Sequence, residues 1–145
     1  MSMFKIFDVA GSGMAAQSLR LNTTASNLAN ANSVASSPDK AYRAREPLFA
    51  AMHADAMAGG WDGGNASDAA VGVQVTGVTT SQAAIPSHYE PGNPMADAQG
   101  YVYGSNVNPI DELVNMISAS RSYQNDVEVM QSAKQLMLKT LDLGK

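Results

Sequence analysis

The 145-residue sequence contains no cysteine, which removes disulfides, thiolate nucleophiles and thiolate metal sites and leaves the redox compartment undetermined. Charge is scarce: 15% of residues are charged, against about 25% in an average soluble domain. Aromatic residues make up 6%, and the 45% apolar fraction is inflated by alanine, so large core-forming side chains are few. The nine lysines and arginines are scattered and the formal net charge is −4. Nucleic acid is thereby disfavoured as a partner, because phosphates need a basic stripe. The sequence also lacks a long apolar run. The broken stretch Met3 to Phe7 is too short for the hydrophobic region of a cleaved leader and far too short to span a bilayer. Neither a cleaved signal peptide nor direct membrane insertion is therefore expected, and exit from the cytoplasm would need a dedicated machine.

Reactive constellations are missing too. His53 and His88 stand alone, without partners at ligand spacing, and read as loop or surface residues. Asp111 and Glu112 are explained by helix capping, and Asp62 and Asp68 by loop solvation, so no carboxylate pair is singled out for acid–base work. Gly11-Ser12-Gly13 has neither a preceding strand nor the lysine of a phosphate loop. The sequons Asn22-Thr23-Thr24 and Asn65-Ala66-Ser67 are short enough to arise by chance, as is the position of Trp61 in a glycine-rich loop. No enzyme, metal site or cofactor is expected.

What is present is a rhythm at both ends. Phe4, Phe7, Gly11, Met14, Ser18, Leu21, Ala25 and Leu28 follow alternating steps of three and four, the seam spacing of a left-handed coiled coil. Leu113, Met116, Ser120, Tyr123, Val127, Met130, Lys134, Met137 and Leu141 repeat it. Such helices can pair within one chain as a hairpin or with copies from neighbouring subunits. The scarcity of large side chains favours neighbours, and low charge fits a surface to be covered by protein. Small Gly11, Ser18 and Ala25 would let helices approach closely. These residues are the candidate assembly interface.

The expected fold class is α+β: terminal helices forming a coiled-coil-like inner domain, with a small β-rich middle. Residues 1–36 form an N-terminal helical assembly segment, 37–107 the middle with a flexible loop at 55–70, and 108–145 the C-terminal segment. The first helix is expected over Phe4–Asn32. Its only charge between Ala10 and Ser37 is Arg20, and Gly11 and Gly13 each cost it about 1 kcal/mol relative to alanine. Ser36, Ser37, Pro38 and Asp39 should end it. Strands are expected at 41–52, at 71–80, where Val71, Val73 and Val75 alternate with smaller or polar residues, and at 101–103. Pro91, Gly92, Asn93 and Pro94 read as tight turns. Asn108 can cap the last helix, with Pro109 at its first position and Asp111 and Glu112 complementing its dipole; it should reach nearly to Leu143, with Gly144 at its end. The residues alone admit a second class, a secreted self-oligomerising binding protein or effector with coiled-coil termini.

The stretch GMAAQSLRLNTTASNLANANS at 13–33 resembles the N-terminal signature of bacterial flagellar rod and hook axial proteins. NVNPIDELVNMISASRSYQNDVEVMQSAKQLMLKTLDLGK, from Asn106 onward, is similar to their C-terminal signature, including Asn115-Met116-Ile117 and the pair Arg121 and Tyr123. The central YEPGNPMADAQGYV resembles the proximal-rod branch, and with Tyr42-Arg43-Ala44 included the resemblance covers nearly the whole chain. Two positions depart: Ser105 stands where proline is usual, and Asp126 where asparagine is. The resemblance implies a subunit of the rod that crosses the periplasm in the flagellar basal body and transmits torque from the motor to the hook. It implies flagellar type III export, terminal helices in the inner layer of the tube, and contacts with further copies of itself and with the axial proteins FlgB, FlgF, FlgG and FliE.

Overall fold

In the computed structural model, which describes residues 3–53 and 70–143, the elements follow in the order α1 Met3–Ala29, β1 Val34–Ala35, β2 Arg45–His53, β3 Ala70–Thr80, β4 Ser87–Tyr89, β5 Tyr101–Gly104 and α2 Pro109–Leu143. The class is α+β, as expected. The anticipated flexible loop, Trp61 and Gly144 lie outside the described residues.

Local chemistry sets the ends of the helices. α1 stops at Ala29 rather than Asn32 because Asn30 closes the last turn on itself. Its backbone N–H donates to the Ser26 and Asn27 carbonyls at 3.2 and 3.1 Å, and its side-chain Nδ2 donates to the Ser26 carbonyl at 2.8 Å. The anticipated turn at Ser36–Asp39 forms, with the N–H groups of Lys40 and Ala41 donating to the Ser37 carbonyl, but it follows a short strand instead of ending the helix. α2 starts where expected: Asn108 Oδ1 accepts from the Ile110 N–H at 3.1 Å.

The strands form two groups. β1 and β4 flank β5 antiparallel, with Val34 opposite Gly104 and Ala35 opposite Tyr103 on one side, and Ser87 opposite Tyr103 and Tyr89 opposite Tyr101 on the other. Neither β1 nor β4 is legible in the sequence, since two or three residues carry no periodicity. β2 pairs with β3 in a separate two-stranded sheet. β2 begins four residues later than expected: the Ala44 carbonyl accepts the Ser81 N–H at 2.8 Å, and side chains hold the rest of this stretch. Asn106 Oδ1 accepts the Ala44 N–H at 2.7 Å, and Arg43 Nη1 donates to the carbonyls of Ser81 and Ala83, each at 3.2 Å.

The chain forms two compact units, Met1–Leu19 with Leu48–Gly77 and Ala119–Lys145, and Arg20–Pro47 with Val78–Ser118. In the first unit the buried apolar residues are Ala10, Ala16, Ala119 and Ala133; in the second they are Ala35, Ala41, Ala44, Val102 and Val107. Small side chains thus fill both interiors among the described residues, and every leucine, isoleucine, phenylalanine and methionine there keeps some exposure.

The β4–β5 connection is organised by Asp97. Its Oδ1 accepts from the N–H groups of Gln99 and Tyr101 at 2.9 and 2.8 Å, and its Oδ2 accepts from the Tyr103 hydroxyl at 3.0 Å. Gly100 adopts φ 86°, and a Cβ there would lie 2.8 Å from the Tyr89 ring, so both conformation and space require glycine. Tyr89 then packs edge-on against Tyr101, with ring centroids 5.3 Å apart.

The backbone hydrogen bond from Tyr101, aided by Tyr103, Gln99 and Gly100, holds the Asp97 carboxyl below its ordinary value. A depressed carboxyl stabilises the fold above the unfolded-state value and loses that contribution as pH falls through the folded one. Asp97→Asn should therefore melt below the parent at pH 7, with the gap closing as the solution is acidified below about pH 4. Thermal denaturation followed by circular dichroism at stepped pH checks this; a gap independent of pH would rule out the carboxylate as its source.

Candidate assembly surfaces

The deepest α1 positions are Ala10 and Ala16 in the first unit and Thr23, Thr24 and Asn27 in the second. The anticipated seam falls on other positions, one residue beyond Ala10, Thr24 and Asn27 and so about 100° around the helix from them. Phe7, Gly11, Met14, Leu21 and Leu28 are half-buried, and Ser18 and Ala25 are exposed. Phe4 belongs to α1, but its side chain lies outside the described residues. On α2, Met116, Ser120, Val127, Met130 and Met137 are half-buried, while Leu113, Tyr123, Lys134 and Leu141 are exposed; the buried positions are Ala119 and Ala133. None of the described seam side chains is fully buried within the chain.

The residues that make the intrachain contacts are those a search for large apolar side chains passes over. In the first unit, a Cβ on Gly13 would meet Asp126 Oδ2 at 2.8 Å, whereas one on Gly11 would meet nothing. Close approach therefore falls at Gly13 and not at Gly11. Ser12 Oγ donates to the Val9 carbonyl at 2.8 Å and accepts the Val73 N–H at 3.1 Å, tying α1 to β3. In the second unit Arg20, the one charge in an otherwise neutral stretch, donates to Asn115 Oδ1 at 3.1 Å. Asn27 is 1% exposed. It donates to the Arg45 carbonyl at 2.9 Å and accepts from the Arg45 N–H at 2.9 Å and the Tyr42 hydroxyl at 3.1 Å.

Glu112 faces the same polar cluster. Burial pushes its carboxyl up from the ordinary value; the Asn27 amide and Arg20 oppose the shift, and Asp111 and Glu46 add to it. Its Oε2 is buried without a hydrogen-bond partner.

Among the described residues, apolar side chains are left uncovered in both units. In the second unit Ile110, Leu113, Val114 and Ile117 are 71, 46, 61 and 54% exposed and recur at the spacing of one helix face. In the first unit Ile6, Val129, Ala133 and Leu136, with Asn125 and Glu128, border an open groove. Among the described residues no three His, Cys, Asp or Glu side chains converge as a metal site would require, and no helix is long and apolar enough to cross a membrane. His88 lies exposed on β4. These surfaces can bind protein.

Interiors filled by alanine, hydrogen-bonded helices and uncovered apolar faces define a structural building block rather than a self-contained globule. Comparison with known proteins gives that class its family. Residues 7–35 match the family model described as flagella basal body rod protein, and residues 98–143 match that of the flagellar basal body rod FlgEFG protein C-terminal. The flagellar basal-body rod protein FlgC of Salmonella typhimurium (strain LT2) is 49% identical over 145 residues, covering all of both chains. Its counterparts in Escherichia coli O157:H7 and Yersinia enterocolitica are 49% and 47% identical, also over the full length of both chains. The chain belongs to the FlgC family of flagellar basal-body rod proteins, which are structural and not enzymatic; nothing in the comparisons supports a secreted effector.

Two measurements probe the intrachain contacts. Gly11→Ala should stabilise the protein by up to about 1 kcal/mol through helix propensity. Gly13→Ala should lose that gain by displacing Asp126, and Gly13→Ala with Asp126→Ser should recover it. Urea denaturation of the three variants decides the matter, and equal gains at both glycines would refute the close approach.

A carboxyl raised in the folded state contributes most below its unfolded value and loses that contribution as pH rises through the folded one. Glu112→Gln should accordingly raise stability at pH 7, by less than about 1 kcal/mol because much of the group stays in water. The gain should disappear near pH 3, where the parent is protonated. A loss of stability at pH 7 on the same denaturation assay would contradict the assigned cause.

Proposed function

We propose that this chain is built into the proximal part of the flagellar basal-body rod, a helical drive shaft that crosses the periplasm and carries torque from the motor to the hook. Segments 1–36 and 108–145 supply its inner, subunit-to-subunit layer and the β-rich middle 37–107 its outer part. Its partners are further copies of itself and the axial proteins FlgB, FlgF, FlgG and FliE, reached after flagellar type III export. The export route and the individual partners rest on family resemblance.

The observation that carries the assembly role is the mismatch between what α1 and α2 bury and what their heptads offer. The intrachain contacts use Ala10, Gly13, Ala16 and Asn27, and Phe7, Met14, Leu21, Leu28, Met116 and Met130 remain only partly covered. Half-covered side chains at coiled-coil spacing gain on the order of 1 kcal/mol or more each when a neighbour completes their burial.

Ser18 and Ala25 separate assembly from folding because both are exposed in the single chain. Ser18→Leu and Ala25→Leu should leave monomer stability within about 0.5 kcal/mol. Overpacking of about 1–3 kcal/mol at every repeated contact should abolish incorporation into basal bodies and swimming. Normal motility in both variants would remove this seam from the interface.

A further inference from the structure

Resting on the reading of the chain as a rod subunit, we infer that the seam face of α2 in the first unit seats in the groove on the opposite side of α2 in a neighbouring copy, with Lys134 of one chain at Glu128 of the next. Helical phase separates the two surfaces. At about 100° per residue, Tyr123, Val127, Met130, Lys134, Leu138 and Leu141 share an arc of about 80°. Asn125, Val129, Ser132 and Leu136 share an arc of about 60° on the opposite side, and with Ile6 and Glu128 they border the groove. Between the two arcs lie Ala119, Asp126 and Ala133, the side the chain uses for itself: both alanines are buried, and Asp126 lies against Gly13 of α1.

Both flanking surfaces are uncovered in the single chain. On the seam face Tyr123, Lys134, Leu138 and Leu141 are exposed and Val127 and Met130 half-buried; at the groove Asn125, Glu128, Val129, Ser132 and Leu136 are exposed. Small Ser132 and Ala133 leave the groove open beside Val129 and Leu136, a hole for a large apolar side chain. Each surface carries one charge, close to its middle, and the signs are opposite: Lys134 on the seam face and Glu128 at the groove. Arg121 and Lys139 are exposed on the shoulder beyond Glu128 and do not border the groove. Pairing seam with seam, or groove with groove, would bring two lysines or two glutamates together, whereas seam on groove joins opposite charges; the charges fix register and the apolar side chains supply affinity.

The two surfaces point away from each other, so one partner helix cannot cover both. A twofold pair, in which each copy's seam meets the other's groove at once, is thereby excluded, and the contact is heterologous and passes from copy to copy. Among copies that share one orientation the helices run parallel. Setting Lys134 beside Glu128 then staggers neighbours by six residues, about 9 Å along the helix, and brings Leu138 opposite Ser132.

The sequence has no cysteine, so a pair can be introduced without interference. Ser132→Cys with Leu138→Cys in one chain, oxidised with copper phenanthroline in purified basal bodies, should give a ladder of disulfide-linked dimers, trimers and longer species. A disulfide needs Cα atoms within about 7 Å, and these positions are about 9 Å apart along their own helix, so the ladder reports contacts between copies. Each cysteine alone should leave the chain monomeric; dimers from either single variant would reveal a symmetric face and overturn the proposal. Lys134→Glu and Glu128→Lys should each reduce the ladder and swimming by on the order of tenfold, and the two changes in one chain should restore both. Failure of that restoration, with all variants melting like the parent as monomers, overturns the pairing. A double-cysteine chain that is incorporated without forming a ladder, or that links only to a protein of different mass, overturns this contact and leaves the rod assignment standing. Absence of the unmodified chain from basal bodies removes the rod assignment and this contact with it.

Discussion

A buried amide must find partners for two donors and two acceptor positions or cost the fold a desolvation penalty of about 1–3 kcal/mol, and the second unit is arranged around one such amide. Asn27 receives the N–H and returns a bond to the carbonyl of the same residue, Arg45. It therefore does with a side chain what a neighbouring strand would do with a backbone, and it does so at the residue where β2 begins. The Tyr42 hydroxyl fills its second acceptor position, while Arg45 stacks over the Tyr42 ring at 5.8 Å. The remaining donor direction serves Glu112 on α2. One residue near the end of α1 thus ties a helix, a strand start and a second helix together, and truncating it would strand several groups at once.

The first unit relies on proximity instead. Ala119 is fully buried and Ala10, Ala16 and Ala133 nearly so, and at Gly13 the Asp126 carboxylate lies against the α1 backbone. Alanine and glycine contribute little hydrophobic burial per residue, but they let backbones come close and lose almost no side-chain entropy. Asp126 occupies a position where the family resemblance leads one to expect asparagine. Both side chains have the same size, so the close approach survives, and a charge is introduced at a site that glycine leaves open.

The helices and the long strand were legible because each is long enough to show a period or a cap. Asn108, Pro109 and the acidic pair mark the start of α2 within a residue, and the valine alternation marks β3. β1 and β4 were not legible, being defined by what β5 offers them rather than by their own sequence. The heptads set a spacing, and large side chains alone do not tell which face the chain uses for itself. Thr23, Thr24 and Asn27 are buried through hydrogen bonding, and no hydrophobicity pattern marks them. Arg20 is the available clue: a single charge in the neutral stretch from Ala10 to Ser37 needs a partner, and Asn115 and Glu112 are where it finds one.

The distribution of side-chain sizes follows from two requirements that oppose each other. A compact subunit would ordinarily bury its largest apolar residues, leaving a polar surface that gains little from contact with copies of itself. A subunit with all of them exposed would associate before reaching its place in the structure. Here the interior is closed by alanines, two valines and hydrogen-bonded polar groups, and the larger residues are left half-covered or exposed along the helices. Hydrogen bonds are directional and pair only with the right partner, so this interior is specified by geometry more than by hydrophobic burial. In the proposed assembly the hydrophobic contribution withheld from the fold would be available for contacts between subunits, where each contact would recur and small increments per subunit would add up.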